Sequence, residues 1–222
     1  MGLQATGGHG PEFNIIDAHT DRAHPEAITG NSSYFVGNAV NAIAVRGKYA
    51  YLATPNNQEL IILDVHDPSC VVTNPQPSAS ACKPSGTPAW GFDAPGSSSG
   101  KSLYLLGDDL YLGKVINNTE FYILDNSDTA TGTLPILGSK PDVDISVDGI
   151  LVRDNIAFLL TKTGFKILDV KDHSHINDWG SLSLSSYAGS GDLFEPSMDC
   201  EGNNFFVGSN VSDHGYLTVI AP

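Results

Sequence analysis

One short phrase returns along this 222-residue chain: a lead residue that is usually aromatic, a variable position, two β-branched or aliphatic residues, then an aspartate. It reads Phe13-Asn14-Ile15-Ile16-Asp17, Leu60-Ile61-Ile62-Leu63-Asp64, Phe121-Tyr122-Ile123-Leu124-Asp125 and Phe165-Lys166-Ile167-Leu168-Asp169, with a fainter copy at Tyr216-Leu217-Thr218-Val219-Ile220. A strand recurring at intervals of tens of residues marks a repeat architecture, in which no unit can bury its apolar faces alone.

Each of the last four copies follows a second conserved pattern. The segments Val45-Arg46-Gly47-Lys48-Tyr49-Ala50-Tyr51-Leu52, Leu105-Leu106-Gly107-Asp108-Asp109-Leu110-Tyr111-Leu112, Val152-Arg153-Asp154-Asn155-Ile156-Ala157-Phe158-Leu159 and Cys200-Glu201-Gly202-Asn203-Asn204-Phe205-Phe206-Val207 align column by column. Gly-Lys, Gly-Asp, Asp-Asn and Gly-Asn are two-residue hairpin turns, because Gly, Asn and Asp tolerate the positive φ of a type I′ or II′ turn. The aromatic column Tyr51, Tyr111, Phe158 and Phe206 is spaced by 60, 47 and 48 residues. That is near the period of a β-propeller blade, and the long first interval places an insertion between Cys70 and Gly100.

Reading each unit as strands A to D puts A near 40–46, 102–106, 145–153 and 194–201, and B at 49–54, 109–115, 156–161 and 204–209. The Asp-terminated phrases are the C strands, and D strands are expected in Leu134–Leu137 and Ser181–Leu184. The last unit ends after its C strand, whereas residues 13–29 carry strand-like segments with no A or B before them. Unpaired strand edges invite association, so the expected solution is an N-terminal strand that completes the C-terminal blade. The expected fold is therefore all-β: a small propeller of about four blades over 12–222, an inserted loop at 70–100 and a flexible leader at 1–11. A first strand that begins mid-blade is what an expressed portion of a larger secreted protein would show.

Twenty-five acidic residues against 11 basic ones give a net charge of −14, which repels polyphosphate and argues against nucleic acid as a partner. No stretch approaches the roughly 20 apolar residues of a membrane-spanning helix, so no such segment is expected. Cys70 and Cys82 bracket a Pro- and Ser-rich stretch that has little else to order it. A disulfide between them would contribute about 2–4 kcal/mol and imply an oxidising compartment; two unpaired thiols are the alternative.

The turn, the aromatic B strand and a C strand ending Ile-Leu-Asp-Val before an Asp resemble the LVIVD repeat family. The best copies are Ile62-Leu63-Asp64-Val65-His66-Asp67-Pro68-Ser69 and Ile167-Leu168-Asp169-Val170-Lys171-Asp172-His173-Ser174. The resemblance implies propeller blades in bacterial or archaeal secreted or surface proteins, some of them pilus-associated, and specifies no chemistry. The last copy departs from it, with Ile220 standing where the aspartate is expected.

The repeated Asp17, Asp64, Asp125 and Asp169 sit where strand gives way to turn, where a carboxylate accepts following backbone amides; a structural role is expected, with calcium sites as the alternative. His173-Ser174-His175 has the spacing of two metal-ligating imidazoles on one face of an extended segment, but follows a turn sequence. Asp142, Asp144 and Asp148 offer hard oxygens without the twelve-residue loop that marks a calcium site. No Gly-x-Ser-x-Gly elbow is present. The expected function is accordingly non-enzymatic: an extracellular or cell-surface module for recognition or adhesion of a protein or glycan partner, needing no cofactor. Trp90 and Phe92 at the end of the insert are the candidate binding residues, with burial of the insert against the blades as the competing reading. A self-assembling structural subunit is the first alternative, and a hydrolase or metal enzyme the second.

Overall fold

The computed structural model describes residues 12–17, 19–20, 22–24, 26–27, 33–34, 39–55, 58–65, 91–96, 98–115, 119–129, 133–184, 194–211 and 214–221. Among them the regular structure is strand, and four successive antiparallel sheets follow one pattern. Sheet 1 is β5 (Ala42–Arg46), β6 (Tyr49–Ala53), β7 (Leu60–Asp64) and β8 (Gly91–Phe92). Sheet 2 is β9 (Ser99–Leu106), β10 (Asp109–Val115), β11 (Phe121–Asp125) and β12 (Ile136–Lys140). Sheet 3 is β13 (Val147–Arg153), β14 (Ile156–Thr161), β15 (Gly164–Asp169) and β16 (Asn177–Ser183), and sheet 4 is β17 (Phe194–Glu201), β18 (Asn204–Val211) and β19 (His214–Ile220). The chain is all-β with a four-blade β-propeller arrangement.

The register shows that the repeats read in the sequence are equivalent in three dimensions. Tyr51 faces Ile62, Tyr111 faces Ile123, Phe158 faces Ile167 and Phe206 faces Val219. The first turn residue is left-handed in all four hairpins: Gly47, Gly107 and Gly202 have φ of 58°, 58° and 60°, and Asp154 has 52°. A β-carbon on any of these glycines would meet nothing within 4 Å, so the backbone angle and not space selects the residue. The second turn residue then closes the next strand: the carbonyls of Lys48, Asp108 and Asn155 accept the amides of Val65, Asn126 and Val170. Carried to sheet 4, the register puts the aspartate column on Ala221 rather than Ile220.

The chain divides into two compact units, residues 1–100 with 127–134 and residues 101–126 with 135–222. In the second, sheets stack face to face. Tyr111, Phe121 and Ile123 of sheet 2 form one cluster with Val147, Val152, Leu159 and Leu168 of sheet 3. Sheet 3 repeats this toward sheet 4, where the Phe205 ring lies 4.6 Å from Phe158 and 5.1 Å from Phe165, the latter edge-on. Middle strands are buried on both faces, which is why Leu110, Tyr111 and Leu112 read as an unbroken apolar run instead of alternating. Each such side chain contributes about 1.5–3 kcal/mol relative to exposure. The fourth strands β12 and β16 are both bulged opposite the isoleucine column, Ile123 facing Gly138 and Ile167 facing Gly180. At Gly138 a β-carbon would lie 1.9 Å from the His173 carbonyl oxygen, so the close approach of the sheet 3 turn requires glycine.

In the first unit the N-terminal phrase is used differently from the expectation. Phe13–Asn14 (β1) pairs with Ser33–Tyr34 (β4), and Ile16–Asp17 (β2) with Glu26–Ala27 (β3). Phe13 packs with Val40 and with Ala50, Leu52, Ile61 and Leu63 of sheet 1. Completion of the C-terminal blade by an N-terminal strand is thus not among the described ladders, where sheet 4 has three strands. The physical reason is that Phe13 and Ile15 carry the same apolar pattern as a C strand and find an apolar face in their own unit.

Because the turn depends on a left-handed residue, Gly107→Val should destabilise the protein by about 1–2 kcal/mol. Gly107→Asn should cost markedly less, since Asp154 and Asn155 already serve there in sheet 3. Urea melts of the two variants measure the difference, and equal losses would contradict the turn assignment.

Candidate functional site

The polar residues that matter most to this architecture were not singled out by the sequence reading. A glutamate precedes the apolar lead residue in the first three copies of the phrase, as Glu12-Phe13, Glu59-Leu60 and Glu120-Phe121, and all three glutamates are buried, at 5%, 0% and 5% exposure. Buried carboxylates persist only when hydrogen bonds replace lost water. Glu59 Oε2 accepts the Ala94 amide at 2.8 Å and Oε1 accepts the Ser98 hydroxyl at 2.8 Å. Glu120 Oε2 accepts the Val143 amide at 3.2 Å. In both cases the acceptor stands at the start of a C strand and the donors lie in the linker that leads out to the next sheet.

The linker between sheets 2 and 3 is held from its other side as well. Asp144 Oδ1 accepts its neighbouring Ile145 amide at 2.7 Å, and Oδ2 accepts the Thr163 amide and hydroxyl from the loop joining β14 to β15. In sheet 3 the glutamate position is Gly164, and Asp144 supplies the carboxylate from the linker instead. Partial burial raises the Asp144 pKa, but hydrogen bonds from Thr161, Thr163 and the Ile145 and Thr163 amides outweigh it and hold the carboxyl below its ordinary value of 3.8. Asp148 accepts the Ser146 hydroxyl at 2.5 Å and lies 3.8 Å from the Lys101 ammonium, while Ser102 donates to the Val147 carbonyl at 2.7 Å.

These bonds account for the carboxylates read as calcium donors. Asp144 and Asp148 are turned to different partners, and no group of three metal-ligating side chains occurs among the described residues. The two histidines also part company. His173 Nε2 lies 3.4 Å from Asp109 Oδ2 on sheet 2, whereas His175 Nδ1 lies 3.1 Å from Asp172 Oδ2 within its own turn. Asp109 also accepts the Tyr111 hydroxyl at 3.2 Å; burial, then the adjacent carboxylate, push the Tyr111 pKa up. Hydrogen bonds from the Ser174 hydroxyl, His175 and the Ser174 amide lower the Asp172 pKa.

Among the repeat aspartates, Asp169 Oδ1 accepts the Lys171 amide at 3.0 Å, and Asp64 lies 3.5 Å from the Lys48 ammonium. Asp125 ends β11, and Asp17 lies in the short N-terminal ladder. At Phe92 the structure takes the burial alternative: it is a strand residue, 8% exposed and opposite Leu60, because the end of the insert returns to sheet 1 as its fourth strand, and it is not an exposed binding anchor. Trp90, Cys70 and Cys82 lie outside the described residues; Cys200 is a half-buried free thiol.

Beside the Asp144–Thr163 bond is a cavity of about 210 Å³ lined by Thr161, Thr163, Phe165, Lys166, Ser181 and Ser183 with their neighbours. Four hydroxyls and one ammonium around a small space can hydrogen-bond a polar group and attract an anionic one.

Two outcomes follow from the carboxylate bonds. Glu59→Ala should cost about 2–4 kcal/mol in a urea melt, because a buried amide and a hydroxyl lose a charged acceptor, with Glu59→Gln nearer half that. A loss below 1 kcal/mol for the alanine would contradict the role. Asp144, with its folded-state pKa lowered, contributes stability that is complete above 3.8 and lost as pH falls through the folded-state value. The acid limb of the stability–pH curve should therefore be shallower for Asp144→Asn than for the parent; superimposable limbs would contradict this.

The LVIVD repeat family model matches residues 37–73, which span strands β5, β6 and β7. No curated protein matches the chain. Among solved structures, the computationally designed Ika8 protein is similar with a TM-score of 0.52 at 11% identity, over 80% of this chain and 45% of that one. The chain thus spans less than half the length of that designed protein, and the likeness concerns the fold alone. A candidate exported protein of Bacteroides fragilis NCTC 9343 aligns over 100% of this chain and 72% of that one, with a TM-score of 0.46 at 12% identity. The matched residues are the A, B and C strands of sheet 1, so the chain carries an LVIVD repeat at 37–73, and the same register of aromatic column, isoleucine column and turn recurs in the later sheets.

Proposed function

We propose that this chain is a non-enzymatic recognition module, a surface or extracellular propeller whose loops and linkers meet a protein or glycan partner. The observation that carries this reading is the use to which its reactive side chains are put. Glu59, Glu120 and Asp144 clamp linkers, Asp109 and His173 join neighbouring sheets, and Asp172 and His175 close a turn. Rigid linkers favour binding, since a partner then meets loops whose ordering has already been achieved on folding. The hydroxyl-lined cavity with Lys166 offers a small polar contact suited to a saccharide or an acidic side chain. The LVIVD repeat is in keeping with an exported protein.

The test is a glycan array and a surface-protein binding screen on monomeric protein, alongside generic ester, glycoside and phosphoester substrates. Saturable binding that falls at least about tenfold in Lys166→Ala or Trp90→Ala, with no turnover, is expected. Turnover that scales with protein concentration and survives repurification would overturn the proposal.

A further inference from the structure

In sheets 1 and 2 the outgoing linker is held by the glutamate at the start of the C strand, Glu59 accepting the Ala94 amide and Glu120 the Val143 amide. Sheet 3 does without it. Its C strand opens on Gly164, where a β-carbon would lie 2.2 Å from the Leu182 carbonyl oxygen, so the close approach of β16 excludes a side chain. The amide that follows β16, on Leu184, donates to the Thr163 carbonyl at 3.1 Å, and a backbone bond thus takes over the hold that a carboxylate has in the earlier sheets.

This end of sheet 3 therefore lacks the carboxylate of the repeat, and Gly164 lines the cavity of about 210 Å³. Lys166 faces Ser181 and Gly164 faces Ser183 in register. Alternate residues of a strand share a face, so one ammonium and two hydroxyls stand together on one side of β15 and β16. The two threonines of the lining are already committed: Thr161 Oγ1 accepts the Gly164 amide at 3.2 Å, and Thr163 gives both its amide and its hydroxyl to Asp144. Lys166 and Ser181 have no such commitment among the described residues. The described lining holds one cation and no acid.

We propose that this cavity binds the carboxylate of an acidic ligand, Lys166 countering its charge and Ser181 and Ser183 donating hydroxyl hydrogen bonds. This rests on the recognition reading and names the group that is recognised. A carboxylate is preferred to a neutral group because charge-assisted hydrogen bonds are about twice as strong as neutral ones. One ammonium balances a single negative charge, which suits a carboxylate better than a doubly charged phosphate. The space is smaller than the roughly 300–1,000 Å³ of a drug-sized pocket, so it takes one such group with few attached atoms. The net charge of −14 acts at longer range and is screened beyond roughly 8–10 Å, which lowers affinity without moving the site. A uronic acid and an acidic amino-acid side chain both present this group.

The experiment is an NMR titration of the full, isotope-labelled chain with sodium glucuronate and with N-acetylglutamate amide. Each is compared with its uncharged counterpart, glucose or N-acetylglutamine amide, at ionic strength matched with sodium chloride. Saturable shifts of the Thr163, Gly164 and Ser181–Ser183 amides with a carboxylate, absent with both neutral ligands, are expected, and the tighter of the two acids identifies the source. Lys166→Met keeps the aliphatic stem and should weaken binding by at least about tenfold, whereas Lys166→Arg should retain most of it. Neither Lys166 nor Ser181 is buried, so Lys166→Met and Ser181→Ala should melt like the parent. No saturable shift at these amides, equal shifts with charged and neutral ligands, shifts reproduced by sodium chloride alone, or binding indifferent to Lys166→Met would overturn the site. A macromolecular partner whose affinity survives Lys166→Met would overturn the site and leave the recognition reading standing. Carboxylate binding here without any such partner would uphold the site and remove that reading.

Discussion

The structure depends on sheets whose middle strands are apolar on both faces. A two-faced sheet cannot be stable by itself in water, because either face left open exposes side chains each worth about 1.5–3 kcal/mol of burial. Tyr111, Phe121 and Ile123 satisfy one face of sheet 2 against sheet 3, and Phe158 and Phe165 do the same for sheet 3 around Phe205. Repetition of the phrase is therefore a packing requirement. Each copy must present the same columns at the same height, or the next sheet has nothing to sit on.

That requirement explains where the polar chemistry goes. Sheets stacked this closely are joined by linkers that cross from one sheet to the next, and their backbone amides would be costly without acceptors. Glu59, Glu120 and Asp144 provide those acceptors at the points where the chain changes sheet. A carboxylate accepts stronger bonds than a neutral oxygen, which suits a position that must hold geometry rather than react. The same logic places Asp109 between Tyr111 and the His173 turn.

Much of this was legible in the sequence because it is written in local terms. Turn dipeptides fix φ, the columns repeat at a measurable spacing, and register then follows, so Tyr51, Tyr111, Phe158 and Phe206 emerge at matching register positions. Glu12, Glu59 and Glu120 were missed although they repeat as regularly, because a glutamate at the end of a loop ordinarily reads as solvated. Only burial of the neighbouring strand distinguishes it. Burial of the end of the insert was legible, but the pairing of Phe92 was not, because its strand, separated from Leu60 by a long insert, has no local signal of its partner. The N-terminal phrase carried a correct strand pattern but no information on which partner it would choose. The one-residue slip in the last copy arose because Val219-Ile220 resembles the end of the phrase, while the Gly202–Asn203 turn sets the register from the other end.

The most direct measurement is an NMR map of cross-strand contacts between the aromatic column and its partners. The account predicts nuclear Overhauser contacts for Tyr51 with Ile62, Tyr111 with Ile123, Phe158 with Ile167 and Phe206 with Val219, together with ring contacts of Phe205 to both Phe158 and Phe165. Contacts shifted by one residue in any hairpin, or a Phe205 ring remote from sheet 3, would contradict equivalent sheets stacked through matching columns.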